Sequence, residues 1–147
     1  MDKKKEGEII WKLAIVDDDP MIIRLSELML SQLAPDLEVI SFKDGQLFCD
    51  HLQKLKSESH ARPDFNYLVL LDINMPNKNG HEVLASIDEK GFVPFVEVAM
   101  LSSSIYQEDR EKSLVYPFVR EFIEKPLRRA VLERLLKEMD LLNSEKK

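Results

Sequence analysis

The sequence predicts an α/β fold built on a doubly wound, five-stranded parallel sheet, and three observations carry that expectation. Short β-rich apolar runs alternate five times with longer segments of helical period. The central run, residues 67–71, is apolar throughout, as a strand covered by helices on both faces requires. Beyond each of four runs, the first, third, fourth and fifth, stands a residue able to do chemistry.

The first run is 11–16. Asp19 then suits an N-cap and Pro20 the first helical position, and Ile22, Leu25, Leu28 and Met29 continue at helical spacing until Ala34 and Pro35 stop the helix. The second unit is a strand over 37–42, a turn at Lys43-Asp44-Gly45 and a helix near 46–56. A polar loop, 57–64, leads to strand 67–71, which ends at Asp72. Turn formers fill 74–80 before a helix near 81–89 that Gly91 terminates. The fourth run, 95–101, gives way to Ser102-Ser103-Ser104 and a polar helix near 107–114. The fifth, 118–123, ends in Glu124-Lys125-Pro126, and an amphipathic helix follows with Leu127, Val131, Leu132, Leu135, Leu136 and Met139 on one side.

A length of 147 residues and a hydrophobic content of 44% suit one ordinary core, expected over 10–142 with flexible charged tails at 1–9 and 143–147. There are 27 acidic and 21 basic side chains, a net charge of −6, so the basic field of a nucleic-acid binder is absent from the composition. Apolar stretches are only strand-sized and no signal-peptide pattern is visible, so no membrane association and a cytoplasmic location are expected. The lone Cys49, among Leu47, Phe48 and Leu52, reads as a small buried apolar residue.

In an open parallel sheet, working residues gather past the carboxyl ends of the strands. Asp17 and Asp18 follow the first run, Asp72 the third, Ser102 the fourth and Lys125 the fifth, so folding would assemble three carboxylates, a hydroxyl and an ammonium. Clustered carboxylates need a compensating cation; Lys125 supplies one, and a small set of oxygen ligands favours Mg²⁺ for the other. His51, His60 and His81 show no metal-ligand spacing and are expected as surface residues. Asp19 is expected to cap its helix rather than bind metal.

Val16-Asp17-Asp18-Asp19-Pro20, Leu71-Asp72-Ile73-Asn74-Met75-Pro76 with Gly80, Ser102, and Lys125-Pro126 together resemble the signature of the response-regulator receiver family. The resemblance spans 10–142 and implies a flavodoxin-like, CheY-like (βα)5 fold in a two-component phosphorelay. It implies that Asp72 accepts a phosphoryl group from a sensor histidine kinase or histidine phosphotransfer protein, beyond which the chain is no enzyme. It further implies Mg²⁺ held by Asp18 directly, Asp17 mainly through water, Asp72 and the Asn74 carbonyl, with Ser102 and Lys125 on phosphoryl oxygens and a cis Lys125-Pro126 bond. With no effector domain in view, output is expected through phosphorylation-dependent binding of a downstream effector protein. The chain departs from the family at Ser102, where threonine is commoner, and at Ile73, where some relatives carry the tryptophan that here stands at position 11. Phe122 occupies the place of an aromatic switch residue and equally suits a strand-five core position.

A phosphatase of the haloacid-dehalogenase type would need a second aspartate where Asn74 stands. Four glycines without Gly-x-Gly spacing leave no dinucleotide-binding loop. A receiver-fold adaptor that works without phosphorylation is the remaining alternative.

Overall fold

Alternate residues of the strands part into two apolar layers, and that parting organises the molecule. The computed structural model describes residues 9–59 and 62–142; all but Ile9 of the expected tails at 1–9 and 143–147, and His60, lie outside the described residues. Strands β1 (Trp11–Val16), β2 (Glu38–Phe42), β3 (Asn66–Leu71), β4 (Val96–Ser102) and β5 (Val119–Glu124) form one parallel sheet in the order β2-β1-β3-β4-β5. Between and after them run helices α1 (Pro20–Leu33), α2 (Gly45–Glu58), α3 (Gly80–Glu89), α4 (Gln107–Leu114) and α5 (Arg129–Glu138).

Leu13, Ile15, Leu68, Leu70, Ala99, Leu101 and Ile123 face α1 and α5, burying Leu30, Leu132, Leu135 and Leu136. Ala14, Val16, Val69, Leu71, Val98 and Met100 face the other way, against Phe48 and Leu52 of α2 and Val83, Leu84 and Ile87 of α3. Cys49 is buried in this second layer, and burial raises its thiol pKa. The strand order reverses between β1 and β3, so the crevice outside their carboxyl ends is the topological switch point.

Local chemistry sets the ends. The Asp19 carboxylate accepts a hydrogen bond from Met21 N at 2.9 Å and caps α1, as expected, while Asp44 caps α2 through Leu47 N at 2.9 Å. Asn79 and Glu82 form a reciprocal capping box on α3. The fourth and fifth strands lie one residue later than the run lengths suggest. Phe95 closes a 3₁₀ turn (Val93–Phe95) containing Pro94, so β4 starts at Val96 and takes in Ser102.

β5 carries a bulge. Val98 pairs with Val119 but Ala99 pairs with Glu121, leaving Arg120 as the extra residue. Val119 and Phe122 therefore lie on one face and Ile123 on the other, and everything after Arg120 is drawn back by one place against β4. Helix α4 differs from the rest: its one aliphatic side chain, Leu114, is exposed, and its buried residue is Ser113. No helix among the described residues is long and apolar enough to cross a membrane.

Candidate phosphoryl-acceptor and metal site

The strand ends deliver the side chains. Asp17 leaves β1 and Asp72 leaves β3 on neighbouring, registered strands, and the two residues are 2% and 5% exposed. With the exposed Asp18 they bring carboxylate oxygens within 4.8 Å of one another. Lys125, just past β5, reaches in from the opposite side, its Nζ 2.8 Å from Asp17 Oδ2 and 3.5 Å from Asp72 Oδ2. Asp17 Oδ1 accepts from Asp19 N at 2.9 Å and Asp72 Oδ1 from Ile73 N at 2.8 Å. Asp17 Oδ2 has no hydrogen bond of good geometry; the ammonium beside it is an ion-pair contact only.

Two buried carboxylates thus share one ammonium. Burial first, then the charge of Asp17, pushes the Asp72 carboxyl up to about 6 against the opposing pull of Lys125. Burial works against the Lys125 ammonium, but the Asp17 and Asp72 carboxylates beside it outweigh it and raise its pKa. The buried, unbonded Asp17 oxygen, the excess negative charge and the all-oxygen donor set fit a hard divalent cation coordinated by Asp17, Asp18 and Asp72.

The backbone around Asp72 is packed against α3. A methyl group on Gly80 would meet Asp72 O at 2.4 Å and Ile73 Cα at 2.8 Å, both backbone, and Gly80 N donates to Ile73 O at 2.8 Å. Gly45 makes a similar approach to Lys78 O at 2.5 Å, and Asn77 Nδ2 donates to Asp44 Oδ2 at 3.2 Å, so the loop between β3 and α3 is held at both ends. Gly80→Ala is expected to cost about 2 kcal/mol in urea unfolding, because the atoms in its way are main chain and cannot rotate aside. An unchanged midpoint would show that α3 can shift without disturbing the acceptor loop.

Residues 13–137 match the family model described as the response regulator receiver domain. The chain is a response regulator receiver. It is 33% identical over 98 residues to response regulator Rcp1 of Synechocystis, covering 66% of this chain and 65% of that relative, just under two thirds of its length. Two solved structures superpose on it. The phosphorylated cyanobacterial phytochrome response regulator RcpA has 31% identity and a TM-score of 0.68, over 88% of this chain and 90% of that one. The Mn²⁺-bound form of Rcp1 has 27% identity and a TM-score of 0.63, over 88% and 91%. The CheY-like fold read from the sequence is therefore the fold found. Receivers bind a divalent metal and are the phosphoryl-accepting modules of two-component signalling, working with histidine kinases or phosphotransfer proteins.

Within the receiver, Ser102 is wholly buried as the last residue of β4 instead of standing beyond it, and Lys125 N donates to Ser102 O at 2.9 Å. The bulge at Arg120 brings this pair together. The Lys125-Pro126 bond is cis. Asn74 is exposed two residues past Asp72. Phe122 is half-buried at the edge of the core under the Arg110 guanidinium, 5.2 Å from ring centre to Cζ.

Two histidines are not the surface residues expected. His51 is half-buried and hydrogen-bonded to the Tyr67 hydroxyl at 3.0 Å, because α2 lays it against β3. His81, at the start of α3, meets Asp109 of α4 at 3.0 Å, an approach that a separation of 28 positions conceals in the sequence. Ser104, which also bonds Asp109, carried no sequence signal beyond its place in the Ser102-Ser103-Ser104 run.

Proposed function

We infer that the chain acts as the receiver of a response regulator in which Asp72 accepts the phosphoryl group. The observation that carries this reading is the pair of buried carboxylates, Asp17 and Asp72, facing one ammonium with an oxygen of Asp17 left without a hydrogen bond. Phosphoryl transfer asks a protein mainly for positioning and for positive charge on the equatorial oxygens. A carboxylate oxygen of Asp72 attacks phosphorus in line while the P–N bond of a phosphohistidine donor breaks; the electron pair stays on the imidazole nitrogen, which takes a proton from water. Lys125 pairs with one phosphoryl oxygen and the Ser102 hydroxyl donates to another. Mg²⁺, held by Asp17, Asp18, Asp72 and the Asn74 carbonyl, supplies further positive charge when bound.

The donor is a sensor histidine kinase or histidine phosphotransfer protein, and the chemistry goes no further than self-phosphorylation and autodephosphorylation on Asp72. The phosphorylated relative RcpA and the Mn²⁺-bound relative Rcp1 support the two halves of this reading. Output follows as a shift between two states, read by an effector protein on the face formed by 102–122 and α5.

Incubation with acetyl phosphate and Mg²⁺, followed by intact mass measurement, tests the assignment. Wild type is expected to gain the mass of one phosphoryl group and Asp72→Asn none. Equal labelling of both would remove Asp72 from the role; no labelling of wild type would favour the adaptor that works without phosphorylation.

A further inference from the structure

Burial does little to hold α4. Its sequence, Gln107 to Leu114, contains one aliphatic residue, which is exposed, so its place depends on polar contacts. Those contacts converge on Asp109. Asp109 Oδ1 meets His81 Nε2 of α3 at 3.0 Å, its Oδ2 accepts from the Ser104 hydroxyl, and its main-chain oxygen accepts from Ser113 Oγ at 2.8 Å. The hydrogen bonds from Ser104 and then His81 lower the Asp109 pKa, so it stays a charged acceptor. Arg110 adds a tie to β5, donating to Phe122 O at 3.3 Å with its guanidinium over the ring.

The chain of contacts runs on to the site. Ser104 N donates to Ser102 Oγ at 3.1 Å, and Ser104 Oγ also accepts from Tyr106 N at 3.2 Å. Ser104 is therefore bonded at its backbone to the buried hydroxyl of Ser102 and at its side chain to α4, and α4 is bonded to α3. A displacement of Ser102 Oγ toward a phosphoryl group on Asp72 must pull on Ser104, and Asp109 and His81 resist it.

The geometry points to Ser104, Asp109 and His81 as positioning residues: a polar clamp that holds the Ser102 loop and α4 in the resting arrangement and sets how readily the receiver takes up a phosphoryl group. The inference rests on Asp72 as the acceptor and Ser102 as its hydroxyl partner, as proposed above. A clamp made only in the resting state lowers the apparent affinity for any ligand that needs the other state, by the fraction of molecules it holds back.

The test titrates beryllofluoride, a stable phosphoryl mimic, with Mg²⁺ into wild type, Ser104→Ala, Ser104→Thr and His81→Ala, read by calorimetry. Amide hydrogen exchange over 103–114 is followed without the mimic. A hydrogen bond to a charged group corresponds to about a tenfold change in an equilibrium. Ser104→Ala and His81→Ala are each expected to bind the mimic roughly tenfold more tightly and to exchange faster over 103–114. Ser104→Thr keeps the hydroxyl and is expected to return both quantities toward wild type. Faster exchange with unchanged or weaker binding in both alanine variants would make the contacts merely structural and overturn the clamp, as would unchanged exchange. Failure of wild type itself to bind the mimic would instead overturn the acceptor reading, and this inference with it.

Discussion

Lys125→Met is expected to destabilise the metal-free protein by about 3 kcal/mol at neutral pH. The substitution keeps the length and apolar stem of the side chain and removes its charge. Asp17 and Asp72, 2% and 5% exposed, would then face each other without the ammonium now 2.8 Å and 3.5 Å away. Removing one partner of a buried charge group costs far more than the intact group contributes, because the remaining charge stays desolvated. Saturating Mg²⁺ is expected to restore much of the loss: at a hundredfold excess over its Kd a ligand of the folded state contributes about 2.7 kcal/mol. Urea unfolding of both proteins with EDTA and with Mg²⁺ measures this. An equal deficit under the two conditions would mean that Lys125 contributes by packing, and that the cation and the ammonium do not answer the same charge.

Asp72→Asn is expected to act in the opposite sense, stabilising the metal-free protein by about 3 kcal/mol above pH 7. The folded protein holds the Asp72 proton up to about pH 6, whereas the ordinary value is 3.8, a difference of roughly two units at 1.36 kcal/mol each. A raised carboxyl pKa means that ionisation opposes folding. The penalty is absent below pH 4, grows between pH 4 and 6 and is complete above, so the gap between variant and wild type should widen over that window. Thermal or urea unfolding from pH 4 to 8 in EDTA would reveal it. A gap that stayed constant across that range would show that the carboxylate is not under charge strain. The same substitution that abolishes the proposed chemistry is thus expected to stabilise the fold, as befits a site that keeps like charges close for a ligand to neutralise.

Much of this was legible in the chain because the signals are local. A continuously apolar run between polar segments reads as a covered parallel strand wherever it occurs, and 67–71 became β3 with one residue added. Asp19 and Pro20 announce a helix start through their own backbone preferences, and the capping bond at Met21 N is there. Asp17, Asp18, Asp72, Ser102 and Lys125 could be placed at one rim because every strand of a parallel sheet ends on the same side.

Distances between remote segments were decided only by the tertiary structure. The bulge at Arg120 draws Lys125 back beside Ser102, and no rule of strand period indicates which residue of β5 will be left unpaired. Gly80 marks in sequence only a loop end, yet it is where α3 comes against the main chain of Asp72. His81 and Asp109 look like ordinary polar helix residues until α3 and α4 are packed side by side. The sequence by itself determined which elements form and which rim of the sheet carries the acids, since periodicity, capping and strand polarity are properties of neighbouring residues. Register, close backbone approach and the pairing of remote polar groups were decided by the tertiary structure, because each depends on how separate elements settle against one another around a shared core.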